Sequence, residues 1–177
     1  FRALALVTVA TFAQVSMAVA QATAASGWRV DAAEAPVAPG SPVRETVWWA
    51  SRPPAGPFDR IAVHRYRGAQ PAQATLLYLP GTNMNGIAAL KNESHNLWLF
   101  LAARGIEVFA LDYRTRFIPP ATAAGALASL EGWGIETFVA DITAAAALTR
   151  RESSRDKLFV AGFSRGVFLA YAYAGTE

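Results

Sequence analysis

Leu158-Phe159-Val160-Ala161-Gly162-Phe163-Ser164-Arg165-Gly166-Val167-Phe168-Leu169-Ala170 decides the fold. A short apolar run stops on Gly162, a second apolar stretch begins after Gly166, and one serine stands between the glycines. Short apolar runs bounded by turn residues suit parallel strands covered on both faces, and residues 167–174 suit a helix. Gly-x-Ser-x-Gly between them reads as a sharp strand-to-helix turn that lifts the Ser164 Oγ clear of the sheet. Crowding at such a turn leaves no room for a Cβ on either flank, so both flanking positions want glycine. The helix beginning at the serine aims its free N–H groups at negative charge forming there. The competing reading is a Gly-rich βα turn of some other Rossmann-like domain.

Outward from this stretch the same grammar repeats. Thr75-Leu76-Leu77-Tyr78-Leu79 is continuously apolar and ends on Pro80-Gly81, and Ile106-Glu107-Val108-Phe109-Ala110-Leu111 ends on Asp112. Between the strands, residues 94–104 carry Leu97, Phe100 and Leu101 at helical spacing and stop at Gly105. Residues 137–151 carry Phe138, Ile142, Ala145, Ala146 and Thr149, with basic residues at the C-terminal end where the helix dipole favours them. Strand alternating with helix predicts an α/β fold: the N-terminal part of a doubly wound, mostly parallel sheet with helices on both faces. Nearer the N-terminus, Val47-Trp48-Trp49-Ala50 is a short apolar run, and residues 60–67 alternate with period two, which predicts an edge strand with one wet face.

The loop after the 75–79 strand, Pro80-Gly81-Thr82-Asn83-Met84-Asn85-Gly86, supplies the second motif. With the Ser164 turn two strands later, the chain resembles the α/β-hydrolase family over residues 60–174. In that family an oxyanion loop follows the third strand and the nucleophile elbow follows the fifth. Asp112-Tyr113-Arg114 resembles the Asp-x-Arg that often follows the fourth. The resemblance implies a serine hydrolase, most simply a carboxylic-ester hydrolase working through an acyl-enzyme on Ser164. It implies oxyanion donors at the N–H groups of Thr82 and Arg165, and no metal or organic cofactor. Pro80 departs from the family, where His is commonest. A plain βα turn is the competing reading of residues 80–86. A phosphate-binding loop is a poor rival, because Ile87-Ala88 stand where Lys and Ser or Thr are needed.

Residues 115–133 form a long connection carrying Phe117, and in open α/β sheets ligands sit over the C-terminal strand ends. Asn83, Phe117 and Phe163 are therefore expected to line a substrate pocket; a loop packed on the sheet edge is the alternative. Asp112 is expected to cap a turn or helix, and Asn92 or Ser94 to cap the helix that follows. His64 and His95 precede the serine, whereas triad members in this fold run Ser, acid, His. The residues after Gly166 contain no histidine. The acid and the general-base His are thus expected beyond residue 177, and this stretch alone is expected to be inactive. An acyltransferase on the same site, or a non-catalytic binding module on the same scaffold, are the alternatives in function.

Composition narrows the rest. With 53% apolar and 16% charged residues, ten Phe and five Trp, the chain is not disordered. Sixteen basic against thirteen acidic residues, spread out, leave no footprint for nucleic acid. The absence of cysteine excludes disulfides, thiolate metal sites and a Cys nucleophile. Arg2, an apolar stretch over residues 3–20 and the small-x-small Ala18-Val19-Ala20 read as a signal peptide spanning residues 1–20. Export to the periplasm or the extracellular space is expected, with no stable membrane insertion after cleavage; an uncleaved anchor is the alternative. Residues 21–45, with Pro36, Pro39, Gly40 and Pro42, read as a linker, and residues 46–177 as the N-terminal half of the hydrolase domain. The partner expected is a small-molecule or lipid-like ester.

Overall fold

The computed structural model describes residues 27–177; the expected signal peptide lies outside the described residues. In chain order the elements are β1 (Arg29–Pro36), β2 (Arg44–Ser51), β3 (Arg60–Arg67), β4 (Ala74–Leu79), α1 (Leu97–Ala102), β5 (Ile106–Asp112), α2 (Ile135–Glu152), β6 (Leu158–Gly162) and α3 (Arg165–Ala174). Two 3-10 turns, Arg114–Phe117 and Ala124–Leu130, occupy the long connection after β5.

The six strands form one sheet in the order β1-β2-β3-β5-β4-β6. β4 pairs with β5 and β6 in parallel, whereas β1–β2, β2–β3 and β3–β5 are antiparallel. The sheet is therefore mixed, and the mostly parallel expectation holds only for its β5-β4-β6 part. Connection length explains the difference. Parallel neighbours need a long crossover, which the α1 and α2 segments supply, while the short links before β2 and β3 allow only antiparallel returns.

Two expectations for the N-terminal region are corrected. Part of the supposed linker is strand β1, whose residues are all exposed and whose order comes from pairing with β2. Glu34 holds it further, accepting from Arg44 at 2.9 Å and Arg67 at 2.8 Å. Such a strand carries no apolar periodicity to read, and its prolines mark the turn beyond it. β3 is not an edge strand: it lies between β2 and β5 and is mostly buried. Its polar positions are tolerated inside because they find partners: His64 lies between Glu45 and Asp112, and Arg65 donates to Glu107 at 2.6 Å.

Alternate strand residues divide between two cores. Ile61, Val63, Leu77, Leu79, Phe109 and Leu111 pack with Phe138, Ile142 and Leu148 of α2 and Leu169 and Tyr173 of α3. Tyr66, Val108 and Ala110 pack on the other face with Trp98, Leu99 and Ala102 of α1. Helices thus cover both faces of β5, buried at all but its first residue. The α1 cap is Asn96, whose side chain accepts from the Trp98 and Leu99 amides at 3.0 and 3.1 Å. Asn92, expected in that role, instead closes a turn onto the Ser94 amide. No helix among the described residues is long and apolar enough to cross a membrane.

A buried ion cluster joins three segments beneath the connection after β5. The Arg114 guanidinium, 2% exposed, donates to both carboxylate oxygens of Asp141 on α2, at 2.6 and 2.9 Å, and to Asp59 before β3. Arg52 adds a third bond to Asp141 at 2.9 Å, and the Trp133 indole N–H donates to Asp59 at 3.0 Å.

Candidate active site

β6 ends at Gly162, and the chain reverses through Phe163 and Ser164 into α3. Ser164 takes φ 53° and ψ −120°, a conformation that costs a residue with a Cβ about 1–3 kcal/mol. The surroundings impose it. The Phe163 amide donates to the Leu79 carbonyl at 3.1 Å, and the Gly166 and Val167 amides close back onto Phe163 and Ser164 at 2.8 and 3.0 Å. Ser164 is left exposed at the C-terminal end of β6.

The flanking glycines are required by contact. A Cβ on Gly162 would overlap the backbone of Gly166, and one on Gly166 would overlap the Leu79 carbonyl oxygen and approach the Pro80 oxygen to 2.8 Å. Gly166→Ala is expected to cost about 2–3 kcal/mol as an overpacked site. Urea unfolding of the whole protein measures it, and an unchanged midpoint would show that the turn yields freely.

The loop after β4 lies directly against this turn. A Cβ built on Gly81 would stand 3.2 Å from the Ser164 Cβ and 3.1 Å from the Phe163 ring. Thr82 and Asn83 are exposed beyond it, Asn83 with φ 60°, and the Met84 amide donates back to the Gly81 carbonyl at 3.2 Å. None of the backbone hydrogen bonds among the described residues uses the Thr82 or the Arg165 N–H. Both motifs read from the sequence therefore meet at Ser164. The Arg165 side chain runs elsewhere, its guanidinium centred 4.5 Å from the Phe138 ring and 5.0 Å from the Tyr113 ring.

The expected pocket residues are not gathered in the same way. Asn83 lines a cavity of about 200 Å³ with Met84, Asn85, Thr115 and Arg116. Phe117 lines another, of about 280 Å³, with Trp49, Arg60, His64, Ile87 and Asp112 among its walls. Phe163 lines neither; it is 56% exposed beside Gly81. Arg116, in the 3-10 turn that opens the 115–133 connection, lines both of these cavities.

Asp112 is corrected most. It caps nothing: the following 3-10 turn has no side-chain cap. It is buried at 3% exposure, and one oxygen accepts the Gly86 amide at 2.5 Å. It thus fastens the far end of the loop that reaches Ser164. Tyr66 fastens the same end, donating to the Gly86 carbonyl at 2.7 Å and accepting from the Ala88 amide at 2.8 Å. Between Asp112 and Glu45 stands His64, with Nδ1 2.9 Å from Glu45 and Nε2 3.4 Å from Asp112.

Sequence reasoning passed over this cluster. Its signal was the polar Glu45, His64 and Asp112 set within apolar strands, which pairing across strands brings together. Burial pulls the His64 pKa down, but hydrogen bonds and charge from Asp112 and Glu45 outweigh it and push it up to about 9. Glu45 is desolvated too, yet His64 and Tyr66 bring its pKa below the usual carboxylate value. His95 sits exposed on the loop before α1, and no side-chain hydrogen bond from either histidine reaches Ser164.

By comparison with solved structures, the chain has an α/β-hydrolase-like fold. It is similar to a candidate lipase from Sulfolobus solfataricus, with 26% identity and a TM-score of 0.76, covering 83% of this chain and 45% of that one. A cold-adapted esterase from an Arctic intertidal metagenomic library matches at 15% identity and TM-score 0.57, over 77% of this chain and 57% of that one. A brefeldin A esterase, a bacterial homologue of human hormone-sensitive lipase, matches at 20% identity and TM-score 0.51, over 89% of this chain and 41% of that one. The chain spans less than two thirds of each of these structures. No family model and no curated protein matches it.

Proposed function

We propose that this chain carries the nucleophile and oxyanion loop of a serine hydrolase that cleaves carboxylic esters. The observation that carries the reading is the strained, exposed Ser164 with the Gly81 loop packed against it. In the reaction, Ser164 Oγ attacks the acyl carbon while a histidine from beyond residue 177 takes its proton. The Thr82 and Arg165 amides donate to the oxyanion, where preorganised donors outperform water. Collapse of the intermediate breaks the ester C–O bond, and the alcohol leaves with the proton. Water then attacks the acyl-enzyme through the same steps, releasing the acid and restoring the serine. No metal or organic cofactor takes part.

The substrate is a small-molecule or lipid-like ester, and the protein acts after export, the reading that the pattern of residues 1–20 supports. The whole sheet is doubly wound, with further strands added beyond β6. Supporting this, Phe159, Phe168 and Tyr171 are 47%, 56% and 78% exposed around β6 and α3, an apolar surface of the kind that marks a face to be covered.

The test is turnover of a p-nitrophenyl ester by the whole protein with and without a primary alcohol. A hydrolase releases one acid per nitrophenol, with partition barely changed at low alcohol. Predominant transfer to the alcohol at low concentration would make it an acyltransferase, and no turnover would leave a binding module.

A further inference from the structure

We infer that His64 is a positioning residue for the proposed oxyanion loop, holding Glu45 and Asp112 together so that the Gly86 end of residues 80–88 cannot shift. The inference rests on the serine hydrolase reading and adds to it a residue outside the nucleophile, base and oxyanion set.

The geometry forms a continuous chain. Glu45 on β2 meets His64 on β3, His64 faces Asp112 on β5, and Asp112 takes the Gly86 amide. Tyr66 closes a second path, its one hydroxyl proton shared between Glu45 at 2.8 Å and the Gly86 carbonyl at 2.7 Å. Residue 86 is packed so closely that only glycine fits, since a Cβ there would stand 2.5 Å from the Ala110 oxygen and 3.1 Å from the His64 ring. The loop is thus clamped at Gly86 and pressed on Ser164 at Gly81. Misplacing a catalytic donor by about 1 Å can cost about 100-fold in rate.

Other charges face this histidine. Lys91 lies 3.6 Å from the outer oxygen of Glu45, and Asp31, Arg60 and Arg116 line the cavity beside the ring. A charged imidazolium between two carboxylates is the form that holds the clamp. Because the folded pKa is raised to about 9, the imidazolium persists until pH rises through about 9, and the stability it lends is complete below the ordinary value of 6.5.

His64→Gln in the whole protein keeps a donor but removes the charge. Expected is a fall in kcat of about 10- to 100-fold with KM held within about threefold, since the loop acts on the transition state. The wild-type activity should decline on an alkaline limb near pH 9, absent in His64→Gln. Glu45→Gln should move that limb to lower pH, and it decides the matter if His64→Gln fails to fold. Hydrogen exchange of residues 80–88 gives a readout independent of activity, expected to quicken about tenfold in His64→Gln as the clamp opens locally. Normal kcat with an unchanged limb, or unchanged exchange of the loop, would overturn the inference. A wild type that neither turns over esters nor reacts at Ser164 overturns the hydrolase reading instead, and loop exchange still decides the clamp.

Discussion

Ser164→Ala in the whole protein is expected to lower kcat for an ester by at least about 10⁴-fold, the scale on which removing a hydroxyl nucleophile acts. Stability should stay within about 0.5 kcal/mol, because the side chain is exposed and alanine meets the same backbone strain. Ser164→Gly separates the two effects. Glycine adopts φ 53° without penalty, so this variant should be equally inactive yet more stable by about 1 kcal/mol. That opposition is the signature of a residue held in a costly conformation for its chemistry. A Ser164→Ala enzyme retaining a tenth or more of wild-type turnover would place the nucleophile elsewhere, and an unchanged Ser164→Gly melting temperature would mean that the turn carries no strain.

Arg114→Ala is expected to destabilise the fold by about 3–5 kcal/mol, the cost of leaving buried charge without its partner. Both carboxylates it serves are nearly inaccessible: Asp141 is fully buried and Asp59 is 3% exposed. Arg52 and the Trp133 indole each satisfy one of them only in part. Arg114→Lys should recover less than half the loss, because an ammonium cannot donate bidentately to Asp141 and reach Asp59 in one plane. Urea denaturation followed by circular dichroism measures both variants. A loss under about 1 kcal/mol for Arg114→Ala would mean that water enters and solvates the carboxylates.

What could be read from the sequence follows from how local each determinant is. The strand–turn–helix around Ser164 and the loop after β4 were legible because each motif and its flanking apolar runs lie within a dozen or so residues. Helix α2 was legible from its spacing to within two residues at each end. Strand β1 was not, since an exposed strand draws its order from β2 and leaves no pattern of its own. β3 read as an edge because His64 alternates with apolar neighbours; only pairing with β2 and β5 supplies Glu45 and Asp112 and makes that polar position an interior one. The same non-local pairing hid the role of Asp112, whose partners Gly86 and His64 lie 26 and 48 residues away. Which cavity Asn83, Phe117 and Phe163 would line was not legible either, because shared proximity to strand ends does not dictate it.

The central claim is that Ser164 is the nucleophile, and covalent labelling tests it most directly. The whole protein is treated with a fluorophosphonate, digested, and the adduct located by mass spectrometry, with Ser164→Ala alongside. One phosphonylated residue, Ser164, is expected, and no adduct in the variant. An unlabelled wild type, an adduct on another residue, or a Ser164→Ala protein that labels as well as wild type would contradict it.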